Sequence, residues 1–217
     1  SRGLGDVYKR QLQSGWSTQD RIANTVITDG SYRPRNSLAR YSDSLSLADA
    51  FAQSSNVATV RLLNQVGDRK VIALARAMGI STPLPQGDPS LALGTGTTTL
   101  LQLTAAYAGF AANAFPVRPT ALPVEPLSLW DRLFNAPAAL PEGVHADMEA
   151  MLRGVVTRGT GRAAALGRPA YGKTGTTQDN RDALFVGYAG DLVVGVWVGR
   201  DDNKPMGNIT GGGLPAR

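Results

Sequence analysis

At Tyr171 the hydrophobic period of this chain changes, and that switch constrains the fold more than any other feature. Upstream, Leu47, Ala50 and Phe51, and then Val57, Val60 and Leu63, recur at the three- and four-residue spacing of a buried helix face. Residues 46–53, 57–66, 69–78, 100–112 and 145–157 read as helices, with Gly67 and Gly79 as stops after the second and third. Residues 115–127 carry Pro116, Pro119, Pro123 and Pro126, too many for a helix, and read as an extended connector. Residues 130–134 form a short patch with apolar residues at both ends. Downstream of Tyr171, residues 183–189 and 192–198 alternate or run apolar, and Gly190-Asp191 between them is a hairpin signal. The pattern is helices first, then an antiparallel sheet, in a chain long enough to form one domain with an ample core.

The chemistry-bearing stretch opens that sheet. Lys173-Thr174-Gly175-Thr176-Thr177 follows a Tyr171-Gly172 turn and precedes the first hairpin strand. It sets an ammonium, several hydroxyls and a side-chain-free backbone position along one sheet edge. The ammonium offers three donors to an anion, and the Thr hydroxyls add directed bonds. Gly175 lets a ligand lie against the backbone. Such a layout suits a substrate that is both a carboxylate and an acyl donor. An ordinary strand start with a solvated Lys would carry the same three letters.

Ser54-Ser55-Asn56, far upstream, lies between two helical patterns as S-x-N. Ser and Asn are favoured helix starts, so a plain N-cap reads the same way. A Ser/Asn pair with K-T-G and an S-x-x-K nucleophile is, however, the motif set of β-lactamases and penicillin-binding proteins.

With these residues quoted, the chain resembles the transpeptidase domain of class A, bifunctional penicillin-binding proteins over residues 12–217. Residues 47–56 resemble the family's S-x-N helix, and Leu91-Ala92-Leu93-Gly94 with residues 103–108 its next block. Residues 171–177 and 180–188 resemble the K-T-G strand and the hairpin after it, and residues 196–202 and 210–216 its later strands. The resemblance implies an α/β fold of the serine β-lactamase/penicillin-binding-protein-like kind, an antiparallel sheet flanked by helices, incomplete here at both ends. It implies that D-Ala-D-Ala stem peptides of peptidoglycan, or β-lactams imitating them, acylate a Ser. Ser54 would relay protons near the leaving group, Asn56 would hold the donor's amide, and Lys173 would support the relay. Thr174 and Thr176 hydroxyls would bind the terminal carboxylate with Thr177 nearby, and the Thr176 N–H would form half of an oxyanion hole. No cofactor is implied. The place implied is the periplasmic face of the inner membrane, with an anchor outside this sequence.

One departure outweighs any single match. The family's nucleophile lies in S-x-x-K-P ahead of Tyr-x-x-Ala-Leu-x-x-Gly. Leu12 and Gly15 fit the end of that segment, which places the Tyr on Tyr8 and the Ser on Ser1, but the Lys on Leu4 and the Pro on Gly5. Residues 1–11 otherwise match poorly, and residues 6–11 look like a translated transposon-end adapter. The expectation is a foreign N-terminal junction whose Ser1 and Tyr8 coincide by accident. A Ser hydroxyl without a neighbouring base is a weak nucleophile, so acylation is expected to be lost or severely slowed.

Composition trims the alternatives. The net charge of +5 invites a nucleic-acid reading, but the arginines are scattered and no basic run interleaves with aromatics. No Cys occurs, which removes disulfides and thiolate metal sites. No apolar run reaches bilayer length and no signal-peptide pattern opens the chain. Only four Lys occur, so one placed at K-T-G stands out. The single His, His145, reads as a surface residue at a helix start. Residues 95–99 lack the Gly-Lys of a phosphate loop and read as a loop or helix start. A β-lactamase or D,D-carboxypeptidase on the same scaffold, or a non-catalytic ligand-binding remnant, are the other readings.

Overall fold

The computed structural model describes residues 4–217 except 29, 31, 95, 97, 123–129 and 131–135. Among the described residues the first two-thirds hold the helices α1 (Leu4–Gln13), α2 (Leu47–Ala52), α3 (Asn56–Val66), α4 (Asp68–Ala77), α5 (Leu100–Ala112) and α6 (Glu142–Thr157). A small hairpin, β1 (Arg21–Asn24) with β2 (Ser42–Ser46), precedes α2. The main sheet follows: β3 (Tyr171–Thr176), β4 (Asp182–Ala189) and β5 (Leu192–Gly199), all antiparallel in the order β3-β4-β5.

The sheet is the meander that the period switch predicts. Tyr171 pairs with Tyr188 and Thr176 with Ala183, while Ala189 pairs with Leu192 across the two-residue Gly190-Asp191 turn. Gly190 has φ +58°, the left-handed value such turns need. The central strand β4 is buried almost throughout, which is why it reads as a continuous apolar run. Helix α5 packs against β4 and β5, and α6 against β3. The approach of α5 is close at Gly195, where any Cβ would collide with Thr104. A single core joins both halves, with Phe51, Leu62, Met148, Leu152 and Val186 nearly inaccessible to water.

Several expectations need correction. The β1–β2 hairpin falls where no strand is expected, because Ser42-Asp43-Ser44-Leu45-Ser46 holds a single apolar residue. Ser46 caps α2 rather than joining it, accepting the Asp49 N–H at 3.0 Å. Thr177 lies beyond the end of β3. His145 is inside α6 and half-buried, its Nε2 2.7 Å from the Phe110 carbonyl oxygen, so it joins two helices instead of standing on the surface. Within the 115–127 connector, Phe115 forms an isolated bridge with Ala138, and residues 123–127 lie outside the described set. The 130–134 patch, apart from Trp130, also lies outside it. Thr99 caps α5, in line with a helix start.

Helix α1 contains most of the segment read as a poorly matching junction, and it is packed into the fold. Val7, Tyr8 and Leu12 are buried, with the Tyr8 ring edge-on to Phe51 at 5.0 Å. Its polar residues fit less well. Lys9 is 2% exposed and lies over the Phe115 ring at 3.9 Å, while Arg10 Nε and Gln11 Oε1 are buried without a hydrogen-bond partner. An orphaned buried polar atom costs about 1–3 kcal/mol. Gln11→Met is therefore expected to stabilise the chain by about 1 kcal/mol. A denaturant midpoint that falls rather than rises, at unchanged slope, would refute this.

Candidate active site

Ser54 and Lys173 are 119 residues apart in sequence and meet across the α2–β3 junction, with Lys173 Nζ 2.9 Å from Ser54 Oγ. The local chain explains how Ser54 becomes available. Helix α2 ends at Ala52, and Ser54 takes φ +57°, a left-handed conformation uncommon for a residue with a Cβ. The cap of α3 is the intervening Ser55, whose hydroxyl accepts the Ala58 N–H at 3.2 Å. The N-cap reading thus applies to Ser55, and the Ser54 side chain is turned to the lysine instead.

The turn is held by polar residues that sequence reasoning missed. The Asn24 side-chain oxygen accepts from Ser55 Oγ at 2.6 Å and from Asn36 Nδ2 at 2.9 Å. Asn36 also accepts the Val57 N–H at 3.1 Å and donates to the Arg40 carbonyl at 2.7 Å. Both amides are buried. Satisfied buried networks fix one conformation, because a broken member would leave an unpaired polar atom in the core. Asn56, the first residue of α3, donates its side-chain amide to the Arg35 carbonyl at 2.7 Å. Among the described contacts Asn56 is joined to this loop and not to Lys173.

On the other side, β3 is one of the two edge strands of its sheet among the described residues. Lys173 is 5% exposed, lies 5.6 Å from the Phe51 ring centroid, and donates to the Thr174 carbonyl at 3.2 Å as well as to Ser54. Burial pushes its ammonium down to about 7, so near neutrality the amine exchanges between charged and neutral forms. Between pH 7 and 10.5 the unfolded chain binds a proton that the folded chain has released. Stability contributed at this site therefore rises with pH across that window. Buried Tyr8 and Tyr188, whose phenols are pushed above their usual value by burial, act in the opposite sense above about pH 10. Lys173→Met is expected to flatten the rise between pH 7 and 9. An unaltered pH slope in that variant would show that Lys173 is not the group responsible.

The threonines differ among themselves. Thr174 is buried and its Oγ1 lies 2.6 Å from Thr160 Oγ1. Thr176 Oγ1 accepts the Gly211 N–H at 3.0 Å, leaving its own proton to donate. Thr177 closes the β3–β4 turn: its hydroxyl accepts the Asp182 N–H at 2.7 Å, and its N–H donates to the Asp182 carbonyl at 3.0 Å. Beside the strand, on the face carrying Leu184 and Trp197, a cavity of about 280 Å³ is lined by those two residues with Thr98, Thr99, Leu100 and Leu103. Among the described residues no cluster of three or more His, Asp or Glu is placed to hold a metal ion. No helix among them is long and apolar enough to cross a membrane.

A half-buried serine in contact with a buried lysine on an edge β-strand, with hydroxyls along that strand, is suited to moving a proton next to a bound acyl group. Comparison with known proteins supplies the family. Residues 12–208 match the family described as the penicillin binding protein transpeptidase domain. Penicillin-binding protein 1A of Neisseria meningitidis is 34% identical over 241 residues, covering 99% of this chain and 30% of that protein. The Aquifex aeolicus protein of the same name is 38% identical over 184 residues, covering 82% of this chain and 25% of its own length. The chain thus spans about a third or less of the length of these relatives. The fold superposes on PonA1 from Mycobacterium tuberculosis in complex with penicillin V with a TM-score of 0.84 at 22% identity, covering 100% of this chain and 65% of that one.

Proposed function

The chain belongs to the penicillin-binding protein transpeptidase family, and on that premise we propose that its cleft binds peptidoglycan stem peptides ending in D-Ala-D-Ala, and the β-lactams that imitate them, for acyl transfer through a serine. The observation that carries this reading is the 2.9 Å contact between Ser54 Oγ and Lys173 Nζ. A lysine poised near pH 7 can take a proton from the serine hydroxyl and return it, so Ser54 relays protons to and from the donor's leaving group. Asn56, anchored on Arg35 by its Nδ2, keeps its side-chain oxygen to accept the donor's amide N–H.

The free edge of β3 supplies the rest. Because the Thr177 N–H points across to Asp182, strand alternation turns the Thr176 N–H outward. There it can serve as half of an oxyanion hole, a donor whose loss costs about 10²–10³ in rate. The Thr176 hydroxyl donates to the substrate carboxylate while its oxygen stays fixed by Gly211, and Gly175 lets the peptide approach the backbone. Thr174 belongs to the same row, and Thr177 contributes by shaping the turn. Residues 1–11 do not supply the S-x-x-K-P nucleophile, so the second half of the oxyanion hole and the acylated serine are lacking in this sequence. The working enzyme would act in the periplasm.

The test uses the chain with residues 1–11 replaced by a family-like segment carrying S-x-x-K-P. Lys173→Ala in that background is expected to slow penicillin acylation roughly tenfold or more, since a hydrogen bond to a charged group contributes ~1.5–3 kcal/mol. Acylation at an unchanged rate would remove the K-T-G assignment.

A further inference from the structure

We propose that Thr160 is a further ligand-binding residue of the cleft, meeting the carboxylate of the bound acyl donor through its exposed hydroxyl with Thr174 behind it. The inference rests on the acyl-donor reading above and changes which hydroxyl faces the anion. Thr174 is 5% exposed, whereas Thr160 is open to solvent, and their hydroxyl oxygens are 2.6 Å apart. A hydroxyl has one proton and two lone pairs. When Thr174 gives its proton to Thr160, the Thr160 proton has only the long 3.5 Å contact to the Ala52 carbonyl oxygen to give up before it donates outward. The pair then forms a chain from the buried oxygen to the anion, each bond polarising the next.

Thr160 is also held in place before any ligand arrives. Its N–H donates to the Ala52 carbonyl at 3.0 Å, at the end of α2 and two residues before Ser54. The flanking glycines make this fit possible. A Cβ on Gly159 would collide with the Ala52 carbonyl oxygen, and one on Gly212 would collide with the Thr160 carbonyl oxygen. The strip that contains Gly212 also supplies the Gly211 N–H bound to Thr176 Oγ1. Thr174 and Thr176 share one face of β3, two residues apart. Thr160 therefore extends a row of three hydroxyls beside one glycine-rich strip. On the opposite face of the same strand, Lys173 reaches Ser54. The segment at Thr160 and the lysine thus grip the 52–54 turn from both sides.

The probes are benzylpenicillin and its methyl ester, titrated into the isotope-labelled chain as it stands and followed by NMR. The unaltered chain is expected to bind the acid more tightly than the ester, with the Thr160 methyl and amide signals shifting for the acid only. Thr160→Val should weaken the acid about tenfold and leave the ester unchanged, while Thr160→Ser should keep the preference, as one charge-assisted hydrogen bond predicts. An acid preference that survives in Thr160→Val, or an equal loss for acid and ester, would overturn the role of Thr160 and leave the acyl-donor reading standing. If the Val variant does not fold, Thr160 signals in the unaltered chain that ignore the acid have the same consequence. An unaltered chain that binds acid and ester equally would instead overturn the carboxylate reading itself, and the role of Thr160 with it.

Discussion

Incubated with a fluorescent penicillin, the chain as written is expected to form no covalent adduct at any residue. Acylation by a serine needs a base to take the hydroxyl proton and two donors for the developing oxyanion. At the position where the family resemblance places the base, the sequence has Leu4, which opens α1 and carries no titratable group. Ser54 is the one motif serine with a lysine beside it, so it sets the sharpest condition on this prediction. Its partner already donates to the Thr174 carbonyl, and Ser54 itself sits in a left-handed turn, its N–H bonded to the Phe51 carbonyl and the turn held at Ala52 by the Thr160 N–H. On the proposed reading, that pair would pass a proton to the leaving group and would not itself attack the acyl carbon. Mass-spectrometric mapping distinguishes the outcomes. An adduct on Ser54 would make the Ser54–Lys173 pair a nucleophile and overturn its assignment as a relay. An adduct on Ser1 would show that residues 1–11 are native to the site. Labelling that appears only after an S-x-x-K-P segment is supplied is the expected result.

What the sequence made legible follows from how local each signal is. The β3–β4–β5 meander is written in the alternation around Gly190-Asp191, and its register needs no distant partner. Helices α2 and α3 are written in their apolar spacing, and Gly67 and Gly79 mark the stops of α3 and α4. Ser54 and Lys173 were found despite their separation because motif resemblance carries long-range information that periodicity lacks. Asn24 and Asn36 were not found, because an asparagine in a polar loop reads the same whether it is solvated or buried against Ser55. The β1–β2 hairpin was missed for a related reason. Its second strand is Ser-rich, and its register is set by pairing with residues 21–24 and not by an apolar face of its own. Thr160 gives no sequence signal either. Its place is set by Ala52, 108 residues earlier, and by Thr174 on β3.

Phe51→Ala is expected to cost about 3–5 kcal/mol, the usual loss for truncating a fully buried aromatic side chain. That is a large share of the roughly 5–15 kcal/mol by which a domain is stable. Phe51 has no exposed surface, takes the Tyr8 ring edge-on at 5.0 Å, and forms the floor beneath Lys173, whose Nζ is 5.6 Å from the ring centroid. Its removal should therefore act on the site as well as on the core. Water reaching the space would relieve the desolvation that depresses Lys173, and its titration should move up from about 7 toward the ordinary lysine value of 10.5. A cavity that merely loosened the core would lower stability without moving that titration. Phe51→Leu, which retains most of the apolar volume, should lose less stability and leave Lys173 nearer neutrality. The measurements are the denaturant midpoint and the pH dependence of Lys173 modification, read peptide by peptide. A loss under about 1 kcal/mol in Phe51→Ala would contradict the buried placement of the ring, given what such truncations cost. A Lys173 titration that stays near pH 7 in a folded Phe51→Ala variant would show that some other group keeps the amine dry.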